Sequence, residues 1–330
     1  MRVAVTGASG NVGTALLRAL ASEPAVDSIV GIARRLPRAS FPKVTWAAAD
    51  VAHHDLTPHF AGVDCVVHLA WLIQPSHDRN ATWLANVHGS RRVFGAVAEA
   101  GVPALVYASS VGAYSPGPKD RLVDESWPTG GIPTSFYSRD KAEVERLLDR
   151  FEGDHPSVRS VRLRTSLVFQ RSMGIEAKRL FTGRWIPHRL LSPERVPFVP
   201  DLERLRFQVT HSDDVADSYR RAIVGDARGA FNVAAEPVVD PDLLAGLLGA
   251  RKVRVPEGLV RSVVAATWRA RLQPTPEGWV DMGLQTPLMD ASRVRRELGW
   301  EPVRRADEAL LELLRGFHAG DGAPTPPLGR

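Results

Sequence analysis

The 330-residue sequence contains a single cysteine and no long apolar run. Cys65 lies inside the apolar segment DCVVHLA and has no partner for an internal disulfide, which argues against a disulfide-stabilised domain and agrees with a reducing compartment. No stretch of about 18 uninterrupted apolar residues is present, so no membrane-spanning helix is expected. The first residues, MRVAVTGASG, lack the apolar core and cleavage site of a signal peptide. We therefore expect a cytoplasmic protein with no membrane partner.

Long basic tracts are also missing, although the formal net charge is +5 at pH 7. The basic residues form short scattered pairs, such as Arg34 and Arg35, without a basic tail or an interleaved row of aromatic residues. This distribution is typical of a solvated basic surface and predicts no nucleic-acid partner. His53, His54 and His59 lie close together, but no cysteine or carboxylate framework accompanies them, so no metal site is predicted.

The first half of the chain alternates short apolar runs with segments of helical periodicity. The strand-like runs are RVAVTG, DSIVGIAR, VTWAAAD, DCVVHLA, ALVYASS and VRSVRLRTS, and the helical segments are GNVGTALLRALAS, WLANVHGSRRVFGAVAEAG and FYSRDKAEVERLLDRFE. Strands that alternate with helices imply right-handed crossovers and a parallel sheet covered on both faces. The sequence therefore predicts an α/β fold with a doubly wound, Rossmann-type parallel sheet.

After residue 165 the alternation weakens and prolines become frequent. We predict a dinucleotide-binding domain over residues 1–165, rejoined by a strand and helix within residues 206–234. Residues 166–330 then form mainly a smaller, interleaved substrate-binding region. The Pro- and Gly-rich end, residues 320–330, is expected to be disordered. The large residues Trp185, Phe198 and Phe207 are candidates for an apolar pocket, or for an ordinary small-domain core.

The segment TGASGNVG places glycines three residues apart between a predicted strand and a predicted helix. Glycines at these points allow a tight turn, close approach of a pyrophosphate to the backbone, and close packing of helix on strand. The N-terminus of the helix presents free amide groups and the positive end of its dipole to the anion. The segment predicts a dinucleotide site formed by Gly7, Gly10, Asn11, Val12 and Gly13.

The end of the second predicted strand lacks the carboxylate that usually binds the adenosine ribose hydroxyls. Its sequence is GIARR, with Arg34 and Arg35 near that position. A guanidinium can bind a 2′-phosphate through charge-assisted hydrogen bonds, and no carboxylate is present there to repel it. The sequence thus predicts NADP as the preferred cofactor, with NAD as the alternative.

Tyr137 and Lys141 lie four residues apart on a predicted helix and therefore share one face. A phenol titrates near pH 10, so a role as a base near neutrality requires roughly 4 kcal/mol in favour of the phenolate. An ammonium about 4 Å away supplies on the order of 4 kcal/mol at an effective dielectric of 20. The pair predicts a tyrosine that exchanges a proton with a carbonyl or hydroxyl while a nicotinamide exchanges hydride.

Two serines end the predicted strand ALVYASS, at the edge of the sheet where ligands bind in open α/β folds. A hydroxyl at this edge can donate a hydrogen bond to the reacting oxygen and polarise it. Ser110 is the better candidate for this role, and Ser109 is the neighbouring alternative.

In this order, TGASGNVG, HLAW, YASSVGAY and YSRDK resemble the extended short-chain dehydrogenase/reductases, the NAD(P)-dependent epimerase/dehydratase family. The resemblance covers nearly the whole chain and implies an oxidoreductase or epimerase with a small-molecule substrate, often assembled as a homodimer. It assigns Ser110, Tyr137 and Lys141 to the catalytic positions, with Lys141 also binding the nicotinamide ribose. It further assigns a cofactor-side set: Asp50, Val51, His68, Leu69, Ala70 and Asn86, the last as a support of the active-site architecture.

Two departures from the family pattern concern the substrate. Leu167 stands near the place where sugar-nucleotide epimerases often have an asparagine, and Val111 and Gly112 follow Ser110 where dehydratases have an acidic pair. We therefore favour interconversion of a carbonyl and a secondary alcohol over a 4,6-dehydration. A sugar-nucleotide epimerase with a tightly held cofactor is the alternative, and a non-catalytic dinucleotide sensor is the third hypothesis.

Overall fold

A parallel sheet forms the centre of the molecule in the computed structural model, which describes residues 1–182, 196–326, 328 and 329. The strands of the described residues are β1 (Arg2–Thr6), β2 (Ser28–Ala33), β3 (Val44–Ala48), β4 (Cys65–His68), β5 (Ala104–Ser110), β6 (Leu122–Val123), β7 (Arg159–Thr165), β8 (Leu167–Phe169), β9 (Phe198–Asp201), β10 (Val209–His211), β11 (Gly229–Val233), β12 (Arg251–Arg254) and β13 (Leu288–Met289). Seven of them form the main sheet in the order β11-β7-β5-β4-β1-β2-β3, and its neighbouring strands are parallel.

Helices cover both faces of this sheet. The described α-helices are α1 (Asn11–Ala21), α2 (Thr57–Phe60), α3 (Arg79–Trp83), α4 (Gly89–Glu99), α5 (Phe136–Asp154), α6 (Gly174–Ala177), α7 (Ser212–Val224), α8 (Pro241–Leu248), α9 (Glu257–Arg269), α10 (Gly278–Gln285), α11 (Ser292–Leu298) and α12 (Ala306–Ala319). Short 3-10 turns cover Val111–Ala113 and Arg171–Met173, and π-helical turns cover Leu84–His88 and Lys178–Thr182.

The alternation of side chains along the strands builds two apolar layers. In β1, Val3 and Val5 point to one layer, where they pack with α1 and α7, while Ala4 points to the other, which is built from α4 and α5. Successive strand residues face opposite sides of a sheet, and a parallel sheet buried on both faces needs apolar residues at nearly every position. The predicted doubly wound α/β fold is confirmed.

Two predicted elements differ in detail from the structure. The single long helix expected to end at Gly101 is divided into α3, a π-helical turn and α4, and Gly101 has a positive φ of 67°. Of the late strands expected to rejoin the sheet, β11 pairs with β7 as predicted. β10 instead pairs with β8 in a separate two-stranded sheet.

The smaller region contains three short parallel pairs, β8 with β10, β9 with β12, and β6 with β13. The end of the chain differs from the expected disordered tail, because the side chain of Leu328 is fully buried in a cluster with Met173 and Leu313. No helix among the described residues is both long and apolar enough to cross a membrane. The thiol of Cys65 is buried, as expected, and burial raises its pKa to about 12.

The strand order places a crevice at the carboxyl edge between β1 and β4. The chain leaves β1 towards β2 and β3 on one side, and continues with β4, β5, β7 and β11 on the other. Loops at such a reversal diverge to opposite faces and leave room for a ligand. The predicted glycine turn follows β1, and the segment beginning at Leu69 follows β4, so both border this crevice.

Candidate active site

A cavity of about 540 Å³ occupies the crevice. Its wall brings together most of the residues predicted from the sequence: Gly7, Gly10, Asn11, Val12, Gly13, Arg34, Arg35, Asp50, Val51, Leu69, Ala70, Ser109, Ser110, Tyr137 and Lys141. These residues come from six different parts of the chain, and the tertiary structure joins the glycine turn to the tyrosine and lysine in one continuous space. Of the predicted residues, Asn86 and His68 do not lie on this wall.

The glycine turn has the geometry that a dinucleotide requires. Gly7 has a φ of +70°, and a Cβ atom there would lie 2.7 Å from the backbone nitrogen of Ala70. Gly10 precedes the first residue of α1 and, within the described residues, no side chain caps that helix. The first amide groups of an uncapped helix need an acceptor, and a pyrophosphate supplies one together with a favourable interaction with the dipole. The turn therefore fits the phosphates of a dinucleotide.

Asn11 lies on the cavity wall, and its side chain is engaged within the protein. Its side-chain amide nitrogen donates to the carbonyl of Val168 at 3.0 Å, and its Oδ1 accepts hydrogen bonds from Gln170 at 2.7 Å and Ser212 at 3.0 Å. The side chain is thus engaged in fastening the start of α1 to the loop after β8. The predicted place of Asn11 in the dinucleotide site stays a prediction.

The adenosine end of the crevice has two exposed arginines and one constrained carboxylate. Arg34 and Arg35 both line the cavity, and in the part of the chain that the structure describes neither guanidinium has a hydrogen bond or ion pair. Asp50 accepts a hydrogen bond from the backbone amide of Ala52 at 2.9 Å, and this bond orients it. The end of β2 therefore presents positive charge to the cavity.

Asn86 and His68 support the wall from behind. Asn86 is fully buried, accepts a hydrogen bond from the backbone nitrogen of Leu72 at 2.7 Å and donates to its carbonyl at 2.9 Å. The ring of His68 lies between the hydroxyls of Thr6, at 2.7 Å, and Ser90, at 2.9 Å, and burial lowers its pKa to about 3. Asn86 thus holds the backbone of Leu72, a cavity residue, and its assignment to cofactor binding stays a prediction.

Tyr137 lies in the first turn of α5, and its place is fixed by the start of that helix. Ser135 caps α5 by accepting a hydrogen bond from the amide of Ser138. The hydroxyl of Ser138 donates to the carbonyl of Gly112 and accepts from the amide of Ile132 at 2.6 Å. These bonds fasten the first turn of α5 to the 3-10 turn that follows β5. Sequence reasoning missed Ser138, although it lies inside the quoted segment YSRDK.

The close approach of this turn to the tyrosine requires a glycine. A Cβ atom at Gly112 would lie 2.9 Å from Cε1 of Tyr137 and 3.2 Å from the sulfur of Met282. Both neighbours belong to the cavity wall. The residue that replaces the acidic pair of dehydratases thus has a local steric reason to be glycine.

The two serines at the end of β5 have different partners. The Ser109 hydroxyl donates to the buried carboxylate of Glu145. The Ser110 oxygen accepts a hydrogen bond from the amide of Gly112 at 3.1 Å, and its hydroxyl lies beside that of Tyr137, where it lowers the pKa of the phenol. The structure therefore places Ser110, the preferred candidate, beside the phenol, while Ser109 is engaged with Glu145.

Lys141 and Tyr137 share a helix face, and the ammonium of Lys141 lies near the Tyr137 ring. The Lys141 nitrogen lies 5.9 Å from the centre of the Tyr137 ring, 3.5 Å from that of the Trp71 ring, and donates to the carbonyl of Ala108 at 2.7 Å. Burial lowers the pKa of Lys141 to about 7. The pKa of Tyr137 is raised by burial and lowered in part by the hydrogen bond with Ser110. Burial and the Ser110 hydroxyl thus act on the pKa of Tyr137 in opposite directions, and the stabilisation of a phenolate by Lys141 stays a prediction.

A buried ion-pair network continues along α5 below these residues. Glu145, one further turn along the helix, pairs with Arg164 and Arg162, each at 2.9 Å. Burial alone would raise the pKa of Glu145, but the hydrogen bonds and charge of Arg164 hold it at about 2. The negative charge of Glu145 also favours the protonated form of Lys141. This network ties α5 to β7 and keeps a fixed carboxylate behind the lysine.

Aromatic side chains surround Tyr137. The ring of Trp71 lies 5.8 Å from that of Tyr137 in an edge-on arrangement, and the ring of Trp279 lies 5.0 Å from it on a tilt of 38°. Phe181 contacts Trp279 edge-on at 5.6 Å. Trp71 directly follows HLA in the sequence, which is the signal that could have identified it; Phe181 and Trp279 carry no comparable signal.

The apolar pocket predicted from the sequence is therefore built from other residues. Phe198 is 58% exposed and Phe207 packs in a separate cluster, so neither lines the cavity. Trp185 lies outside the described residues.

The sequence matches a protein family and several known proteins. The profile of the NAD dependent epimerase/dehydratase family matches residues 3–234. An uncharacterized protein of Mycobacterium tuberculosis is 26% identical over 95% of this chain, although the chain spans only 30% of that relative's length. Sterol-4-alpha-carboxylate 3-dehydrogenase, decarboxylating, of Saccharomyces cerevisiae is 26% identical over 72% of this chain and 66% of its own.

A solved structure has the same fold. UDP-glucuronic acid 4-epimerase from Bacillus cereus, in complex with UDP-glucuronic acid and NAD, superimposes with a TM-score of 0.69 at 18% identity. The match covers 97% of this chain and 99% of the other. At this identity the similarity establishes the shared architecture and leaves the substrate to be argued from the cavity itself.

Proposed function

The chain belongs to the NAD dependent epimerase/dehydratase family of enzymes, and from this premise we propose that it is an NAD(P)-dependent oxidoreductase that interconverts a carbonyl and a secondary alcohol. The observation that carries the proposal is the single cavity shared by the glycine turn and the group of Ser110, Tyr137 and Lys141. A cofactor bound along the turn supplies hydride exchange at its nicotinamide. The described residues supply binding, orientation and the proton.

In the proposed mechanism Tyr137 exchanges the proton at its phenol oxygen. During reduction it donates to the oxygen of the forming alkoxide, and during oxidation it accepts the proton of the alcohol. Ser110 lies beside the phenol and donates a hydrogen bond to the same substrate oxygen, which polarises the carbonyl. The protonated form of Lys141 favours the phenolate by its charge and is held in position by the carbonyl of Ala108.

NADP is the cofactor we propose, with NAD as the alternative. The support is the unpaired positive charge of Arg34 and Arg35 on the cavity wall, at the end of the strand where NAD-specific sites place a carboxylate. The family description itself names NAD. Homodimer formation stays a prediction of the family resemblance, and a cytoplasmic location stays a prediction of the sequence composition.

A sugar-nucleotide epimerase is the second candidate, because Ser110, Tyr137 and Lys141 could also transfer the proton in an epimerisation. The structural relatives bind sugar nucleotides, but their identity of about 18% supports the fold alone. Leu167, in place of the asparagine common in such epimerases, lines the cavity without a side-chain hydrogen-bonding group. A non-catalytic dinucleotide sensor is disfavoured by the retained Ser110, Tyr137 and Lys141.

The test is a screen of ketones and secondary alcohols that follows NADPH absorbance, with the Tyr137→Phe variant beside the natural protein. We expect stoichiometric NADPH consumption with at least one ketone, and a loss of turnover of roughly 10²- to 10⁴-fold in the variant, with cofactor affinity retained. Interconversion of UDP-sugars without net cofactor consumption would establish the epimerase instead. Full activity of Tyr137→Phe would refute the proposed mechanism.

A further inference from the structure

The part of the cavity beyond Tyr137 is lined mainly by apolar side chains. Its wall includes Trp71, Ile73, Leu180, Phe181, Trp279 and Met282. Several of these residues also pack together, with Ile73 and Phe181 against the cluster that contains Leu180. Rings held in edge-on and tilted contacts form a rigid surface that is complementary to a flat or alicyclic ring system.

The polar groups of this part of the wall are few, and most are already engaged. The amide of Gln74 donates to the carbonyls of Leu180 at 3.1 Å and Pro274 at 3.0 Å, and its oxygen accepts from the amide of Ser76 at 2.7 Å. Its hydrogen-bonding groups are therefore used within the protein. Such a side chain orients the wall but offers little to a ligand.

Glu176 is different, because one of its oxygens is buried without a partner. Oε2 of Glu176 has no hydrogen bond within the described residues, and Oε1 lies 3.8 Å from a guanidinium nitrogen of Arg179. The side chain is only 12% exposed and lies on the cavity wall, one helical turn before Leu180. Burial raises its pKa to about 7, although the charge of Arg179 opposes the rise. A buried polar atom without a partner is costly, and a ligand group can remove that cost.

We propose that the substrate is a largely apolar, ring-bearing alcohol or ketone with a second hydrogen-bonding group, and that Glu176 binds this second group. The inference rests on the proposed oxidoreductase function and specifies its substrate class. The aromatic wall binds the ring, Ser110 and Tyr137 bind the reacting oxygen, and Glu176 fixes the orientation by a hydrogen bond from a hydroxyl or an amine. Glu176 thus determines specificity and takes no part in proton transfer at the reacting carbon.

The same arrangement disfavours a nucleotide diphosphate in this part of the cavity. A diphosphate needs several donors or cations, whereas the described wall around Glu176 presents the guanidinium of Arg179 beside a carboxyl group, the engaged amide of Gln74 and apolar side chains. The guanidinium of Arg179 lies 3.8 Å from the carboxyl group of Glu176, and a carboxylate there partly neutralises the positive charge of Arg179. Above pH 7 the carboxylate of Glu176 would in addition repel the phosphates.

The test measures binding to the protein saturated with NADP, by calorimetry and without turnover. The probes are α-tetralone, its 6-hydroxy derivative, UDP and UDP-glucose. In the natural protein we expect the hydroxylated ketone to bind at least tenfold more tightly than α-tetralone, and the two uridine nucleotides to bind more weakly than either. Glu176→Leu should abolish the difference between the ketones, and Glu176→Gln, which keeps the shape and a hydrogen-bonding group, should restore part of it. Glu143→Gln, on the exposed side of α5, is the matched control and should change neither affinity.

Equal affinities for the two ketones, failure of both to bind, or tighter binding of UDP or UDP-glucose would each overturn the inference. A Glu176→Leu variant that retains the preference would do the same. Thermal unfolding of each variant separates a local effect from misfolding. The result is distinguishable from failure of the proposed function, because the binding preference is measured independently of the turnover lost in Tyr137→Phe.

Discussion

Replacing Lys141 by methionine tests how much its charge contributes to proton transfer. Its nitrogen lies 5.9 Å from the centre of the Tyr137 ring. With the ring centre taken as the mean position of the phenolate charge and an effective dielectric of 20, the ammonium favours the phenolate by about 3 kcal/mol, which corresponds to about two pKa units or a factor of roughly 100. Lys141→Met should therefore lower kcat/KM for alcohol oxidation about 100-fold wherever the natural lysine is protonated.

The size of this effect should depend on pH in a defined direction. Burial lowers the pKa of Lys141 to about 7, so its ammonium is present below that pH and is lost as the pH rises through it. The ratio of natural to Lys141→Met activity should be about 100 near pH 6 and fall to a few-fold by pH 9. The assay is kcat/KM for the alcohol at saturating cofactor, measured at half-unit intervals of pH.

Two further variants make the result interpretable. Lys141→Arg keeps a positive charge at all these pH values, so its activity relative to the natural protein should not fall between pH 6 and 7. Lys252→Met removes a lysine of β12 that pairs with Asp242 at 2.5 Å, and it should leave the profile unchanged. A ratio for Lys141→Met that stays constant with pH, or that is near one at pH 6, would refute the electrostatic role.

Three other substitutions test the cofactor end and the placement of the tyrosine. Replacing Arg34 and Arg35 together by alanine should weaken NADP binding at least tenfold and leave NAD binding nearly unchanged, as measured by fluorescence titration; equal losses for both cofactors would contradict a role in 2′-phosphate recognition. Gly112→Ala should lower kcat at least tenfold, because the added Cβ atom would lie 2.9 Å from the ring of Tyr137 and displace it. An unchanged kcat in a folded variant would contradict the need for a glycine at this position. Ser138→Ala should reduce the free energy of unfolding by about 1–3 kcal/mol in urea titrations, because it leaves the buried amide of Ile132 without its acceptor, and a stability equal to that of the natural protein would contradict this.

The glycine turn and the group of Ser110, Tyr137 and Lys141 could be predicted because each is recognised from a short stretch of sequence. The glycine turn, the serine at a strand end and the spacing of Tyr137 and Lys141 each depend on one element or one junction between elements. The parallel topology then brings strand ends to one edge, so their proximity followed from the predicted fold. The hydrogen bonds of the Asn11 side chain could not be predicted in the same way, because its partners, Val168 and Gln170, are distant in sequence. The supporting role of Asn86 was available only from the family resemblance, and its bonds to Leu72 agree with that role.

The sequence by itself determined the doubly wound sheet, because apolar periodicity and glycine positions act over a few residues and specify each strand, turn and helix locally. Only the tertiary structure decided the distance between Lys141 and the phenol, the aromatic surroundings of Tyr137, and the unpaired oxygen of Glu176. These features arise where α5, α6 and α10 meet, and their separations along the chain leave no periodic signal. Burial and long-range contacts set the electrostatics and shape of the cavity, and both depend on the completed packing.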